Sequence, residues 1–277
     1  MESERSFWDH LEVMRWMIIR SFAVVVVLAV VLFTFKDFVF GNIIFAPCSP
    51  DFVTYRGMCR LGDLIGIEAI CPEVSQVELI NINLASQLMT HLSVSFYLAI
   101  ILALPYLMTE LWLFVSPALY SHERKPAVIA VVAFFLQFFI GLALSYFLIF
   151  PLTFNFLGNY QVSPDVTNQI SLNSYISTFN GLMLSLGLVF EMPIVAYFFA
   201  RIGVLKAAML SRFRKIAIVA SLTLAAFITP STDVFTMCLV ALPLYLLYEF
   251  SRLVVKRVER KNSSQLEIQK AASKDSK

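Results

Sequence analysis

The chain has 277 residues, of which 59% are hydrophobic and only 14% are Asp, Glu, Lys or Arg. With a mean hydropathy of +0.78 it is too apolar for a soluble domain whose surface faces water, so its solvent is largely lipid. The 26 Phe against 9 Gly suit long lipid-facing helices better than a barrel of strands and turns, and the formal net charge of +2 says less than the placement of the charges.

A charged start containing Trp8, Asp9, His10 and Glu12 precedes the first apolar run and lacks a small-residue cleavage site, so no removable signal peptide is expected. Apolar runs lie near residues 17–35, 88–108, 128–150, 175–200, 216–228 and 234–250, to be set against the roughly 20 residues that cross about 30 Å of hydrocarbon. The last two are short. They read as thin spans, or else as a buried hairpin that only partly enters the bilayer. Residues 36–83 form the longest insert, punctuated by Pro47, Pro50, Gly57, Gly62, Gly66 and Pro72 and expected as a cap outside the membrane. The expected organisation is one integral membrane domain over 1–260 and a polar, disordered tail over 261–277. No internal repeat supports an inverted-repeat transporter.

With the N-terminus placed in the cytoplasm, all but three (Lys36, Arg56, Arg60) of the 21 Lys and Arg fall on the cytoplasmic side. That asymmetry predicts an N-in, C-in chain with an even number of spans, hence an all-α polytopic protein of six helices. Cys48, Cys59 and Cys71 lie in the acidic insert, where an oxidising compartment permits a disulfide between two of them; the spacing does not say which. Without a CxxC or a His cluster, metal binding is the weaker reading. Cys238, inside the last run, reads as a small core residue. His10, His91 and His122 are scattered and read as structural hydrogen-bonding groups. No HExxH, GxSxG, P-loop or SxxK is present, so neither an enzyme nor a cofactor is expected.

The informative polar groups are carboxylates at membrane depth. Glu191 lies well inside the fourth run, where an ionised side chain costs about 2.5 kcal/mol or more unless hydrated or paired. Pro193 follows and can kink the helix. Glu191 is therefore a functional candidate; the alternative is a protonated carboxyl bonded across the bundle to Gln137. Glu110 and Glu249 read as interfacial. A second constellation gathers Asp9, His10, Glu12 and Arg15 before the first run with Ser121, His122, Glu123, Arg124 and Lys125 between the second and third. Surface acids among basic neighbours can accept the two parallel donors of a guanidinium, and they can equally be helix caps and solvated loop residues.

The run from Tyr106 through Glu110, Phe114, Pro117, Tyr120 and Glu123 to Arg124 resembles the central motif of the TatC family, the signal-sequence receptor of the twin-arginine protein translocase. His10-Leu11 with Arg15 resembles that family's N-terminal HLxELR element, Phe190-Glu191-Met192-Pro193 its FExP, and Ile228-Thr229-Pro230 with Asp233 its ITPxxD turn. The resemblance implies a cup-shaped bundle of six helices in the bacterial cytoplasmic membrane. Such a bundle receives the paired arginines of a signal peptide on folded cargo and assembles with TatA and TatB-type single-span partners, and with further copies of itself, to move cargo by the protonmotive force. It implies no nucleic-acid partner. By the same resemblance Glu123 receives the arginines, with Phe114, His122, Arg15 and Glu12 around it; Pro47 matches a proline of the first external loop, and Glu191 an intramembrane glutamate that contacts partner helices.

One departure stands out. The family's N-terminal glutamate comes three residues after the His, where this chain has Val13, and Glu12 precedes it by about 100° around a helix. Either Glu12 takes over through a local shift, or the second acid of the site is weakened. The competing functions are an ion-coupled small-molecule transporter or channel, motivated by Glu191 and the proline-broken spans, and an intramembrane hydrolase for which no nucleophile and base can be placed.

Overall fold

In lipid every backbone polar group must be satisfied within the chain, so apolar runs of this length become helices. The computed structural model describes residues 7–67, 71, 79–115, 121–163, 165, 168–229 and 233–275, without the side chains of 7–10, 115, 121–130 and 261–275. In chain order it contains α1 (Phe7–Thr34), α2 (Lys36–Phe38), a π-helical turn Val39–Ile44, a 3-10 turn Ala46–Cys48, α3 (Val53–Ile65), β1 (Leu79–Ile80), α4 (Ser86–Val115) and α5 (Ser121–Leu144). A second π-helical segment, Ser145–Ile149, leads to α6 (Phe150–Asn159), β2 (Ile170–Ser171), α7 (Leu172–Val189), α8 (Met192–Arg201), α9 (Ala207–Arg212), α10 (Arg214–Ile228) and α11 (Val234–Asp275).

Among the described residues five helical stretches are long and apolar enough to span: Leu11–Thr34, Ser86–Phe114, Val131–Asn159, Leu172–Arg201 and Val234–Arg260. With α10 they make a six-span helical membrane fold. At 15 residues, about 22 Å, α10 is as short as its sequence suggests. The last helix is not: α11 has 42 residues rather than ending near residue 250. Glu249 is neutralised by two arginines and Val255 is fully buried, so the helix carries a packed face past its apolar run. It continues beyond Arg260 to Asp275, with no helix end where the composition turns polar.

The chain divides into two compact units, each described for its described residues: Met1–Phe135 with Tyr146–Asn180, and Leu136–Ser145 with Gly181–Lys277. In the first, α1 and α4 pack antiparallel. Val25, Ala99 and Ala103 form the seam, flanked by Leu28, Ala29 and Leu107, and the two alanines let the backbones approach. The insert is fastened by hydroxyls. Tyr146 donates to Ile43 O at 2.8 Å, Tyr175 to Ile44 O at 2.5 Å, and Tyr55 to Pro47 O at 3.2 Å and Pro151 O at 3.0 Å; Thr54 donates to Phe147 O. Ile43, Ile44 and Phe147 lie in the two π-helical turns, where the regular i to i−4 pattern is broken, and their carbonyls accept these side-chain donors. The insert that reads as punctuated loop contains α3, which stops at Gly66 with φ 76°, a left-handed cap suited to glycine. β1 and β2 pair in parallel, Leu79 with Ile170 and Ile80 with Ser171.

In the second unit α11 packs against α8, α9 and α10, with Val255 set against Ala196 and Ala200. A Cβ on Gly141 would stand 2.8 Å from Phe190 Cβ, and one on Gly187 would stand 2.8 Å from the ring of Phe138. Two glycines thus hold the Leu136–Ser145 segment close against α7.

Candidate functional site

The antiparallel pairing of α1 and α4 brings the start of one to the end of the other. There Glu12 and Arg15 form an exposed pair at 3.8 Å, and the Arg15 guanidinium lies 5.8 Å from the Trp16 ring centre. Exposed pairs of this kind add little stability. Glu12, Val13, Trp16 and Arg20 line an open groove of about 380 Å³. Phe114 occupies the last turn of α4 and is half-buried. Glu123 and His122 fall in the first turn of α5, but their side chains lie outside the described residues, as do Pro117, Tyr120 and Pro230.

Deeper along the same helix pair is an arrangement that the sequence reading missed. Glu110, read from sequence as interfacial, is buried within the protein at 7% exposed. Arg20 Nη2 stands 3.2 Å from its Oε2, while the Tyr106 hydroxyl donates to its Oε1 at 2.6 Å. One sequence signal could have found this site: Arg20 falls inside an apolar run, and a lone intramembrane cation calls for an acid partner. That partner is 90 residues away in sequence, so periodicity alone could not name it.

In the second unit the fourth span breaks between α7 and α8, with Pro193 buried in the first turn of α8. Glu191 lies in that break and is 5% exposed. Its backbone carbonyl accepts from Ile194 N at 3.0 Å and Val195 N at 3.1 Å. Neither carboxyl oxygen has a hydrogen-bond partner among the described residues. The bond to Gln137, the alternative reading of this residue, is therefore not formed, although both residues belong to this unit. An unpartnered buried carboxyl costs stability.

Glu249, read from sequence as interfacial, clamps α10 to α11. Arg214 Nε donates to Oε1 at 2.6 Å and Arg252 Nε to Oε2 at 2.9 Å, and Tyr245 adds a bond at 3.2 Å. Asp233 caps α11: its Oδ1 accepts from Thr236 N at 2.8 Å and its Oδ2 from the Thr236 hydroxyl, two bonds that satisfy groups of the first turn.

In the insert the disulfide joins Cys59 and Cys71, leaving Cys48 a free thiol. Burial raises the Cys48 pKa, opposed by a hydrogen bond with Tyr175, and burial likewise raises that of Tyr55. Pro47 is buried, and its carbonyl is a ligand of Tyr55. Two expectations change. Cys238 is exposed rather than core, as an apolar side chain facing lipid can be. His91 Nε2 has no hydrogen-bond partner among the described residues; its ring instead stacks on Phe33 at 3.9 Å between centres.

Comparison with known proteins agrees with the motifs. The family described as Sec-independent protein translocase protein (TatC) matches residues 9–243. The TatC of a Blattabacterium from Periplaneta americana is 31% identical over 264 residues, covering 94% of this chain and 98% of that protein. The TatC of Aquifex aeolicus is 37% identical over 207 residues, covering 74% and 83%. A crystal structure of the twin-arginine translocase receptor TatC superimposes with a TM-score of 0.67 at 30% identity, over 90% of this chain and 99% of that one.

Proposed function

As a member of the TatC family, this chain is a multi-pass membrane component of the twin-arginine protein translocase, and we propose that it is the subunit that receives twin-arginine signal peptides. Glu123 accepts the guanidinium groups, with Glu12 as the second surface acid and Phe114, His122 and Arg15 beside them. Planar donors fit carboxylates two at a time, which a lysine ammonium cannot do. The observation that carries this reading is the antiparallel contact of α1 and α4, with Arg20 3.2 Å from Glu110. It draws the N-terminal motif toward the helix end that leads to Glu123.

Glu191 and Gln137, on the two glycine-packed segments of the second unit, serve as the contact for single-span partners of the TatA and TatB type. The buried carboxyl of Glu191 takes a donor from such a partner. The chain lies in the bacterial cytoplasmic membrane with both termini inside, associates with further copies of itself, and moves folded cargo at the expense of the protonmotive force. Fluorescence anisotropy of a labelled signal peptide with purified protein in lipid nanodiscs tests the receptor role. An Arg-Arg peptide is expected to bind at least tenfold more tightly than its Lys-Lys version, the worth of about one charge-assisted hydrogen bond. Equal binding of the two would contradict it.

A further inference from the structure

A carboxylate missing from the N-terminal motif has a counterpart deeper in the same helix pair. Val13 lines the groove on α1 without any hydrogen-bonding group, while Glu12 and Arg20 line it at either end. Eight residues separate them, about 12 Å along the helix. Arg20 is shared: it borders the groove and also pairs with Glu110. Its side chain is 55% exposed, whereas that of Glu110 is 8% exposed. The cation of this pair is more than half uncovered, and the acid is enclosed. Tyr106 holds the other oxygen of Glu110, so the carboxylate keeps its orientation when Arg20 leaves.

We propose that Glu110 is a further arginine-accepting carboxylate of this chain, beyond the surface acids Glu123 and Glu12, and that Arg20 is a resident guanidinium which an arginine of the signal peptide displaces. The inference rests on the receptor reading above and adds to it the residue that sets specificity. An arginine entering along the groove replaces one guanidinium by another on the same carboxylate. The buried acid is then paired before and after binding, so it is never left as an uncompensated buried charge. Arg20, released, extends along α1 toward the surface, where Glu12 stands at the other end of the groove. A lysine can neutralise Glu110 but cannot reproduce the planar fork, so the exchange discriminates between the two.

The test uses the full chain in nanodiscs, with a fluorescent Arg-Arg signal peptide and its Lys-Lys control, for wild type, Glu110→Gln, Arg20→Met and the double variant. Thermal melting is followed in parallel. Glu110→Gln keeps an acceptor for Tyr106 and is expected to bind the Arg-Arg peptide roughly tenfold more weakly, the worth of about one charge-assisted hydrogen bond. Arg20→Met removes the resident competitor and is expected to bind it more tightly than wild type. That gain is expected to vanish in the double variant. If wild type prefers Arg-Arg over Lys-Lys and both single variants bind within twofold of it while melting lower, the pair only packs α1 on α4 and the inference falls with the receptor reading intact. If wild type shows no preference, the receptor reading fails and carries the inference with it.

Discussion

Gly141 and Phe190 touch through backbone and ring root: a Cβ on Gly141 would stand 2.8 Å from both Cβ and Cγ of Phe190 and 3.0 Å from the Leu186 carbonyl. Phe190 adjoins Glu191, so this contact fixes the helix break that carries the buried carboxyl. Gly141→Ala is expected to force these segments apart at a cost of about 1–3 kcal/mol. The measurement is the melting temperature in detergent; a value equal to that of wild type would show that the contact yields without cost. Gly187→Ala meets only the far edge of the Phe138 ring and is expected to cost less.

Glu191 should reveal a conflict between stability and use. Its two oxygens are buried without a hydrogen-bond partner among the described residues, so Glu191→Leu removes a penalty of about 1–3 kcal/mol and is expected to raise the melting temperature. The same substitution is expected to abolish export of a twin-arginine reporter and co-purification of the single-span partners. A variant that is both more stable and fully active would take Glu191 out of the functional site.

The hydroxyls that anchor the insert are expected to act as structural ties. Tyr175 is 2% exposed and donates to Ile44 O at 2.5 Å; Tyr175→Phe leaves that buried carbonyl without its donor, at about 1–3 kcal/mol. Hydrogen exchange should then accelerate in Val39–Ile44 and leave α11 unchanged. Uniform acceleration through the chain would mean that the insert does not open separately.

The thiols carry a pH dependence. Burial raises the pKa of Cys48, so the neutral thiol is favoured in the folded state and less thiolate is present at pH 8 than in a free cysteine. Alkylation of Cys48 should be slow at pH 8 and accelerate as pH rises toward and through its raised pKa, while unfolding in urea at pH 8 should speed it at once. Non-reducing peptide mapping should recover Cys59 linked to Cys71 and Cys48 unlinked. A Cys48 that reacts as fast as glutathione in the native protein would contradict the burial.

Why some of this was legible in sequence and some was not follows from the range of the forces involved. Long apolar runs and the scarcity of charge are local properties, so the spans from α1 through α8 were readable apart from their ends. The last helix outruns the apolar stretch at 234–250 because Arg214 and Arg252 neutralise Glu249 and Val255 is packed beyond it, which hydropathy does not register. The burial and pairing of Glu110 were not legible either, because its partner Arg20 is on another helix. The disulfide pairing depends on where α3 places Cys59, and the anchoring of the insert on carbonyls within the two π-helical turns; neither leaves a pattern in spacing. Motif resemblance supplied what periodicity could not, the family and the candidate role of Glu123.

The most direct measurement is export of a folded reporter bearing a twin-arginine signal, in cells where this chain and its matching TatA and TatB-type partners are the only copies, comparing wild type with Glu123→Ala at equal membrane levels. Export by wild type and its loss in Glu123→Ala is the expected result. Full export by the variant would contradict the assignment of Glu123 to the arginine site, and no export by wild type, with partners present and expressed, would contradict the receptor role itself.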